Sequence, residues 1–192
     1  MKLKIFISLI TAAILSSCAS NDTNVRHSIP DADSDCMQFI FKGKNDEFKA
    51  AGNRCMIHRS ENESSMLMIA AQKGNFELVK YLIEKGANVN SVNITKQSAL
   101  HLAVLNHHLE IVEYLKANGA EIKQNSFGIS PLMSAVQLGN FELVQALEPT
   151  FEDINLQAED GWTAIYFAIR RRDKQIFDYI LDGGACVNFV DH

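Results

Sequence analysis

Four cysteines, six histidines and a run of three arginines are the residues of this 192-residue chain whose chemistry needs placing first. A thiol can accept lipid, close a disulfide, attack a carbonyl or ligate metal, and an imidazole can act as base or ligand. Cys18, Cys36, Cys55 and Cys186 form no CxxC pair, which counts against a redox role. His107-His108 with Glu110 is the one grouping that invites a metal reading. No Gly-rich phosphate loop, Ser-His-Asp arrangement or paired-carboxylate motif occurs, and Glu152 and Asp153 read most simply as a solvated turn. These residue types therefore support no enzyme, no cofactor and no reaction centre.

The N-terminus supplies a reason for the first cysteine. Lys2 and Lys4 precede an apolar run from Ile5 to Leu15, roughly half of the ~20 residues needed to span a bilayer. That is the design of a secretory signal. Leu15-Ser16-Ser17-Cys18 then resembles the lipobox of bacterial lipoproteins: an apolar residue, two small ones and cysteine. The resemblance implies cleavage of residues 1–17 and lipidation of Cys18, against the alternative of a plain signal peptide cut nearby. Ala19 rather than aspartate next to the cysteine implies the outer membrane in a Gram-negative cell, with the domain facing the periplasm. Several acyl chains, at ~0.8 kcal/mol per methylene, make a stable anchor.

Residues 18–34 read as lipidated cysteine and polar tether, containing Pro30 and no apolar periodicity. The whole chain carries a charge of −5, and losing Lys2 and Lys4 leaves 16 Lys and Arg against 23 Asp and Glu, a charge of −7. An acidic chain with no basic tail is not built for nucleic acid or for electrostatic membrane binding. At 47% apolar and 21% charged residues, one folded domain is expected and wholesale disorder excluded.

The elements that would carry any surface follow from an internal repeat. Ser65-Met66-Leu67-Met68-Ile69-Ala70 recurs as Ser98-Ala99-Leu100-His101-Leu102-Ala103, Ser130-Pro131-Leu132-Met133-Ser134-Ala135 and Thr163-Ala164-Ile165-Tyr166-Phe167-Ala168, at spacings of 33, 32 and 33. Gly74-Asn75-Phe76-Glu77-Leu78-Val79 keeps the same register as Gly139-Asn140-Phe141-Glu142-Leu143-Val144, and Gly86-Ala87-Asn88-Val89-Asn90 is answered by Gly184-Ala185-Cys186-Val187-Asn188. These blocks resemble the ankyrin repeat. The resemblance implies an all-α ankyrin-repeat solenoid with four repeats over 65–192. Residues 35–64 read as a degenerate N-terminal capping unit or an unrelated helical lead-in.

The pattern has physical sense independent of the resemblance. Ser or Thr opening each unit can cap the free amides of a first helix. Phe76, Val79, Leu82 and Ile83 share a helical face, as do Leu109, Val112 and Leu115. Each helix pair is too small to bury its own apolar face, so neighbours must stack. The third unit departs from the pattern with Glu148-Pro149-Thr150-Phe151 where a helix-ending glycine belongs.

Within that frame the chemistry reads as structural. Cys36 and Cys55 fall together in the cap, where a periplasmic location permits a disulfide worth ~3 kcal/mol; two buried free thiols are the alternative. Cys186 is a lone thiol on a fingertip. The family's pattern commonly carries histidine where His101 and His108 stand, which makes both structural hydrogen-bonding residues and removes the metal reading.

Protein binding through the hairpin fingertips and the first helices is what the family implies. The candidates are Ile94, Phe127, Ile129 and Trp162 on fingertips, and Leu105, Leu138, Arg170 and Arg171 on first helices. Exposed apolar groups in a row mark interaction surfaces, and aromatic and arginine anchors carry much interface energy. Against this, Trp162 and Phe127 could pack on adjacent fingertips, and the arginines could be a solubilising face. The role expected is an immunity protein that binds and inhibits an antibacterial secreted toxin such as a lipase effector. The alternative is a periplasmic adaptor that localises or stabilises an enzyme, for example in oxidative-stress defence.

Overall fold

The computed structural model describes residues 32–57 and 59–187. The expected signal segment 1–17, the lipidation site Cys18 and the tether as far as residue 31 lie outside the described residues. Helix α1 begins at Ala32, so the last three residues of the segment expected as tether, 32–34, are helical.

Twelve helices are found among the described residues, which hold no strand beyond two isolated bridges, Arg59 to Ser65 and Val92 to Ser98. The capping segment comprises α1 (Ala32–Phe41), α2 (Asn45–Ala51) and α3 (Asn53–Ile57). Helix pairs follow: α4 (Met66–Lys73) with α5 (Phe76–Glu84), α6 (Ala99–Leu105) with α7 (Leu109–Ala117), and α8 (Pro131–Leu138) with α9 (Phe141–Ala146). A single turn, α10 (Phe151–Ile154), precedes the last pair, α11 (Ala164–Arg171) and α12 (Lys174–Asp182). First helices α4, α6, α8 and α11 pack in one row, and second helices α5, α7, α9 and α12 in another.

Each unit is locked by the same local chemistry. Counting its opening Ser or Thr as position 0, Ser65, Ser98 and Ser130 accept from the amide at position 3 and cap their helices. Thr163 does not: its hydroxyl is buried and makes no hydrogen bond. Position 5 is alanine in all four units, at most 1% exposed, and its carbonyl accepts from the amide at position 10. Those bonds, Asn75 to Ala70, His108 to Ala103, Asn140 to Ala135 and Asp173 to Ala168, run 3.0 to 3.2 Å. They close the turn between helices by the six-to-one bond of a Schellman motif. Position 10 then starts the second helix, where the side chains of Asn75, Asn140 and Asp173 accept from Leu78, Leu143 and Ile176 amides.

Positions 2, 13 and 17 hold the core. Leu67, Leu100, Leu132 and Ile165, then Leu78, Ile111, Leu143 and Ile176, then Leu82, Leu115, Leu147 and Ile180 are all buried. Burial of each is worth roughly 1.5–3 kcal/mol. The third unit, lacking its glycine, ends its second helix early. Glu148 takes the left-handed conformation (φ 43°) and the chain restarts as α10. Asp153, expected in a solvated turn, caps that helix: Oδ2 accepts from the Thr150 amide at 2.9 Å and hydroxyl at 2.7 Å.

At the other end, α1 and α3 pack on α4. A disulfide joins Cys36 to Cys55 (Cα–Cα 5.4 Å), both buried, beside fully buried Phe48.

Candidate protein-binding surface

Four five-residue loops, 60–64, 93–97, 125–129 and 158–162, project between units. In each, the first amide donates to the fifth carbonyl: Ser60 to Ser64 at 3.0 Å, Asn93 to Gln97 at 3.1 Å, Asn125 to Ile129 at 3.0 Å and Ala158 to Trp162 at 2.8 Å. Asparagine stiffens two of them, because its short carboxamide can stand in for backbone. Asn93 Oδ1 accepts from the Thr95 and Gln97 amides at 3.0 and 2.9 Å, and Asn125 Oδ1 from those of Phe127 and Ile129 at 2.9 and 3.0 Å. Neighbouring loops are also bonded to one another. The Ile94 amide donates to the Asn62 carbonyl (3.2 Å), Ser126 to Thr95 (2.9 Å) and Glu159 to Phe127 (3.5 Å). The fingertips therefore form one laced edge rather than four independent loops.

Two large apolar side chains stand on adjacent links of that edge. Ile94 is 61% exposed and Phe127 is 63% exposed. Burial of either side chain by a partner would release on the order of 1.5–3 kcal/mol. Leu105, at the end of α6, is also exposed. Ile129, Leu138 and Trp162 are half-buried rather than free. Trp162 packs on its own first helix, with ring centroids 4.4 Å from Tyr166 and 5.6 Å from Phe167. The exposed Arg170 guanidinium covers the indole at 5.3 Å. Phe127 has no such cover.

Arg171 is turned to a different use. Its Nη1 donates to the Gln137 carbonyl of the preceding unit at 2.7 Å. His108 makes the equivalent bridge two units earlier, Nε2 to the Gln72 carbonyl at 3.2 Å. Both lie over a left-handed glycine at position 9, where an added side chain would have to push the bridge aside. A Cβ on Gly74 would come within 2.5 Å of the His108 ring, and one on Gly139 within 2.1 Å of the Arg171 guanidinium. Position 9 of the second and fourth units is His107 and Arg172, which take the same conformation at φ 60° and 59°. Arg171 thus ties two units together, so removing it tests the stack before it tests a partner.

His101 is wholly internal. Its Nδ1 accepts from the Ser98 amide at 3.3 Å, which leaves the proton on Nε2 to donate to the Ile129 carbonyl at 3.3 Å. Burial pushes its pKa from near 6.5 down to about 4, the carbonyl bond opposing this. Among the described residues no group of three His, Cys, Asp or Glu side chains converges as a metal site would require. Cys186 is an exposed free thiol.

Some exposed apolar residues escaped the sequence reading: Val92, Phe151, Ile169 and Leu181.

The profile of the family described as ankyrin repeats (3 copies) matches residues 28–126 and 120–191. An L-asparaginase of Dirofilaria immitis is 27% identical over 62% of this chain and 26% of its own length. An ankyrin repeat and KH domain-containing protein of Caenorhabditis briggsae is 32% identical over 67% of this chain and 5% of its own. The Saccharomyces cerevisiae protein named "Probable 26S proteasome regulatory subunit p28" is 32% identical over 53% of this chain and 46% of its own. The chain spans less than half the length of each of these relatives.

Proposed function

The chain belongs to the ankyrin-repeat family, a family of protein-interaction modules, and on that premise we propose that its laced fingertip edge binds one protein partner. The observation that carries this reading is the pair Ile94 and Phe127, the two most exposed large apolar side chains among the described residues. They stand on adjacent loops that a 2.9 Å backbone bond holds together. A rigid edge loses little conformational entropy on binding, so the burial energy of both side chains is available to hold a partner.

The partner we favour is an antibacterial toxin delivered into the periplasm, which the chain neutralises as an immunity protein by covering the toxin's active-site mouth. A lipid on Cys18 would hold the module at the outer membrane under attack and raise its local concentration there. A non-catalytic binding edge on a cell's own anchored protein suits inhibition.

Three measurements test this. A strain lacking the gene should become sensitive to neighbours that deliver the cognate toxin, and wild-type chain should restore protection. Ile94→Asp with Phe127→Asp should abolish protection while leaving the thermal midpoint within about 2 °C, since both side chains are exposed. Equal protection by the double variant would remove the fingertip edge from the mechanism, and an unsensitised deletion strain would remove the immunity role. Cys18→Ala should release the protein from the membrane fraction; retention there would overturn the lipid anchor.

A further inference from the structure

The first unit lacks a clasp that the second and fourth possess. At position −8 those two units carry asparagine, Asn90 and Asn155, whose carboxamide bridges two backbone groups after the unit's second helix. Asn90 Nδ2 donates to the Gly119 carbonyl and its Oδ1 accepts from the Glu121 amide, both at 2.9 Å. Asn155 does the same with the Gly184 carbonyl at 3.1 Å and the Cys186 amide at 2.7 Å. The bridged groups stand at positions 21 and 23. In the third unit α10 takes the place of that turn. In the first unit position −8 is Ile57, a residue type with no polar side-chain atom, and positions 21 and 23 are Gly86 and Asn88.

The backbone of the first unit is nonetheless set as in the clasped ones. Gly86, Gly119 and Gly184 take φ 86°, 82° and 92°. The amides that follow them, of Ala87, Ala120 and Ala185, donate to the Leu82, Leu115 and Ile180 carbonyls at 2.9, 2.9 and 3.2 Å. Yet among the described residues no hydrogen bond reaches the Gly86 carbonyl or the Asn88 amide. Here, between α3 and the first unit, lies a cavity of about 290 Å³, lined by Ala87 and Asn88 and by the apolar Met56, Met66, Leu67 and Leu82. At the ~30 Å³ that a water molecule takes up in the liquid, this is room for about ten non-hydrogen atoms. An apolar wall with a few convergent polar groups is how small-molecule sites are made.

We propose that this cavity binds a small molecule carrying a primary carboxamide on an apolar ring or short chain. The ligand's NH2 donates to the Gly86 carbonyl and its oxygen accepts from the Asn88 amide, as the Asn90 and Asn155 side chains do in their own units. The apolar body lies against Leu67, Leu82 and the methionines. Arg59, exposed in the lining with Nη1 on the Glu63 carbonyl, favours an anion by charge alone. A carboxylate, however, has no hydrogen for the Gly86 carbonyl and would set an oxygen against it. The site is independent of any partner at the fingertips.

Titration of the full, isotope-labelled chain with benzamide, followed by amide NMR, tests it. The Ala87 and Asn88 signals should shift saturably, with a dissociation constant on the order of 1 mM for so small a ligand. Acetophenone, the same shape with a methyl in place of the NH2, and benzoate should each bind at least about tenfold more weakly. Ala87→Leu, and separately Ser91→Leu at another half-buried lining position, should abolish benzamide binding by filling the space. The ligand series is read on the wild type, so it decides even where a variant fails to fold. Absence of a saturable shift at Ala87 and Asn88 overturns the proposal. Acetophenone binding as well as benzamide overturns the carboxamide, and benzoate binding more tightly makes Arg59 the anchor of an anion site instead. Undiminished benzamide binding by both folded variants would place the ligand outside this cavity.

Discussion

The two ends of the stack are finished in opposite ways. Before the first unit, α1 and α3 pack on α4, and a disulfide between Cys36 and Cys55 lies beside fully buried Phe48 on α2. On the fourth, Ile169 is exposed and Phe177 half-buried at the registers that Val136 and Val144 occupy under cover, and Leu181 is exposed beside them. A stack of repeats keeps an outer face soluble by covering it or by making it polar. Here one end is written as a seal and the other as an interior surface.

That contrast can be broken most forcefully at position 6. Val136→Asp should cost about 4 kcal/mol or more, because it buries a charge without a partner, and Ile169→Asp in the next unit should cost under about 0.5 kcal/mol in the monomer. Urea unfolding of the two variants at low concentration makes the comparison, and equal costs would mean that the last unit is covered after all.

Opening the sealed end comes next. Cys36→Ser should lower stability by about 3 kcal/mol, the chain-entropy value for two cysteines 19 residues apart. A protein unchanged by that substitution or by reductant would show that helix packing alone closes this end.

Acid probes a covered register from inside. Position 3 of the second unit is His101, buried, and position 3 of the fourth is Tyr166, half-buried. Above pH 6.5 the imidazole is neutral in folded and unfolded chains alike. Below it the unfolded chain gains a proton that the folded one refuses until about pH 4, so stability falls as pH falls through that window. Between pH 7 and pH 5 the loss should be on the order of 2 kcal/mol. His101→Gln should flatten that dependence, and an equal slope in the variant would place the titrating group elsewhere.

The smallest effect is expected at position 0. Ser130→Ala should cost about 1 kcal/mol as a lost cap. Thr163→Val, which removes a buried hydroxyl without a partner, should gain about 1 kcal/mol. Differential scanning calorimetry resolves the two signs, and destabilisation by Thr163→Val would show that its hydroxyl has found a partner in solution.

Much of the fold was legible in the chain, because a unit's caps, turns and apolar stripe are set by residues within a few positions of one another. Ser98 capping α6 and the stripe of Leu109, Val112 and Leu115 needed no distant partner to be read. The candidate surface was legible only in part. Ile94 and Phe127 were marked by type and place and stand exposed; Trp162 and Arg171 were marked the same way, yet one lies on its own helix and the other bridges to Gln137.

By itself, then, the sequence determined the period, the helix pairs and the capping chemistry, because local spacing and short-range hydrogen bonds decide these. Only the tertiary structure decided which residues face water. Ile169 and Val136 share register and apolar character, and Arg171 was grouped with Arg170 as an anchor. What separates each pair is whether a neighbouring unit lies against it, a matter of packing between segments some thirty residues apart that no local pattern encodes.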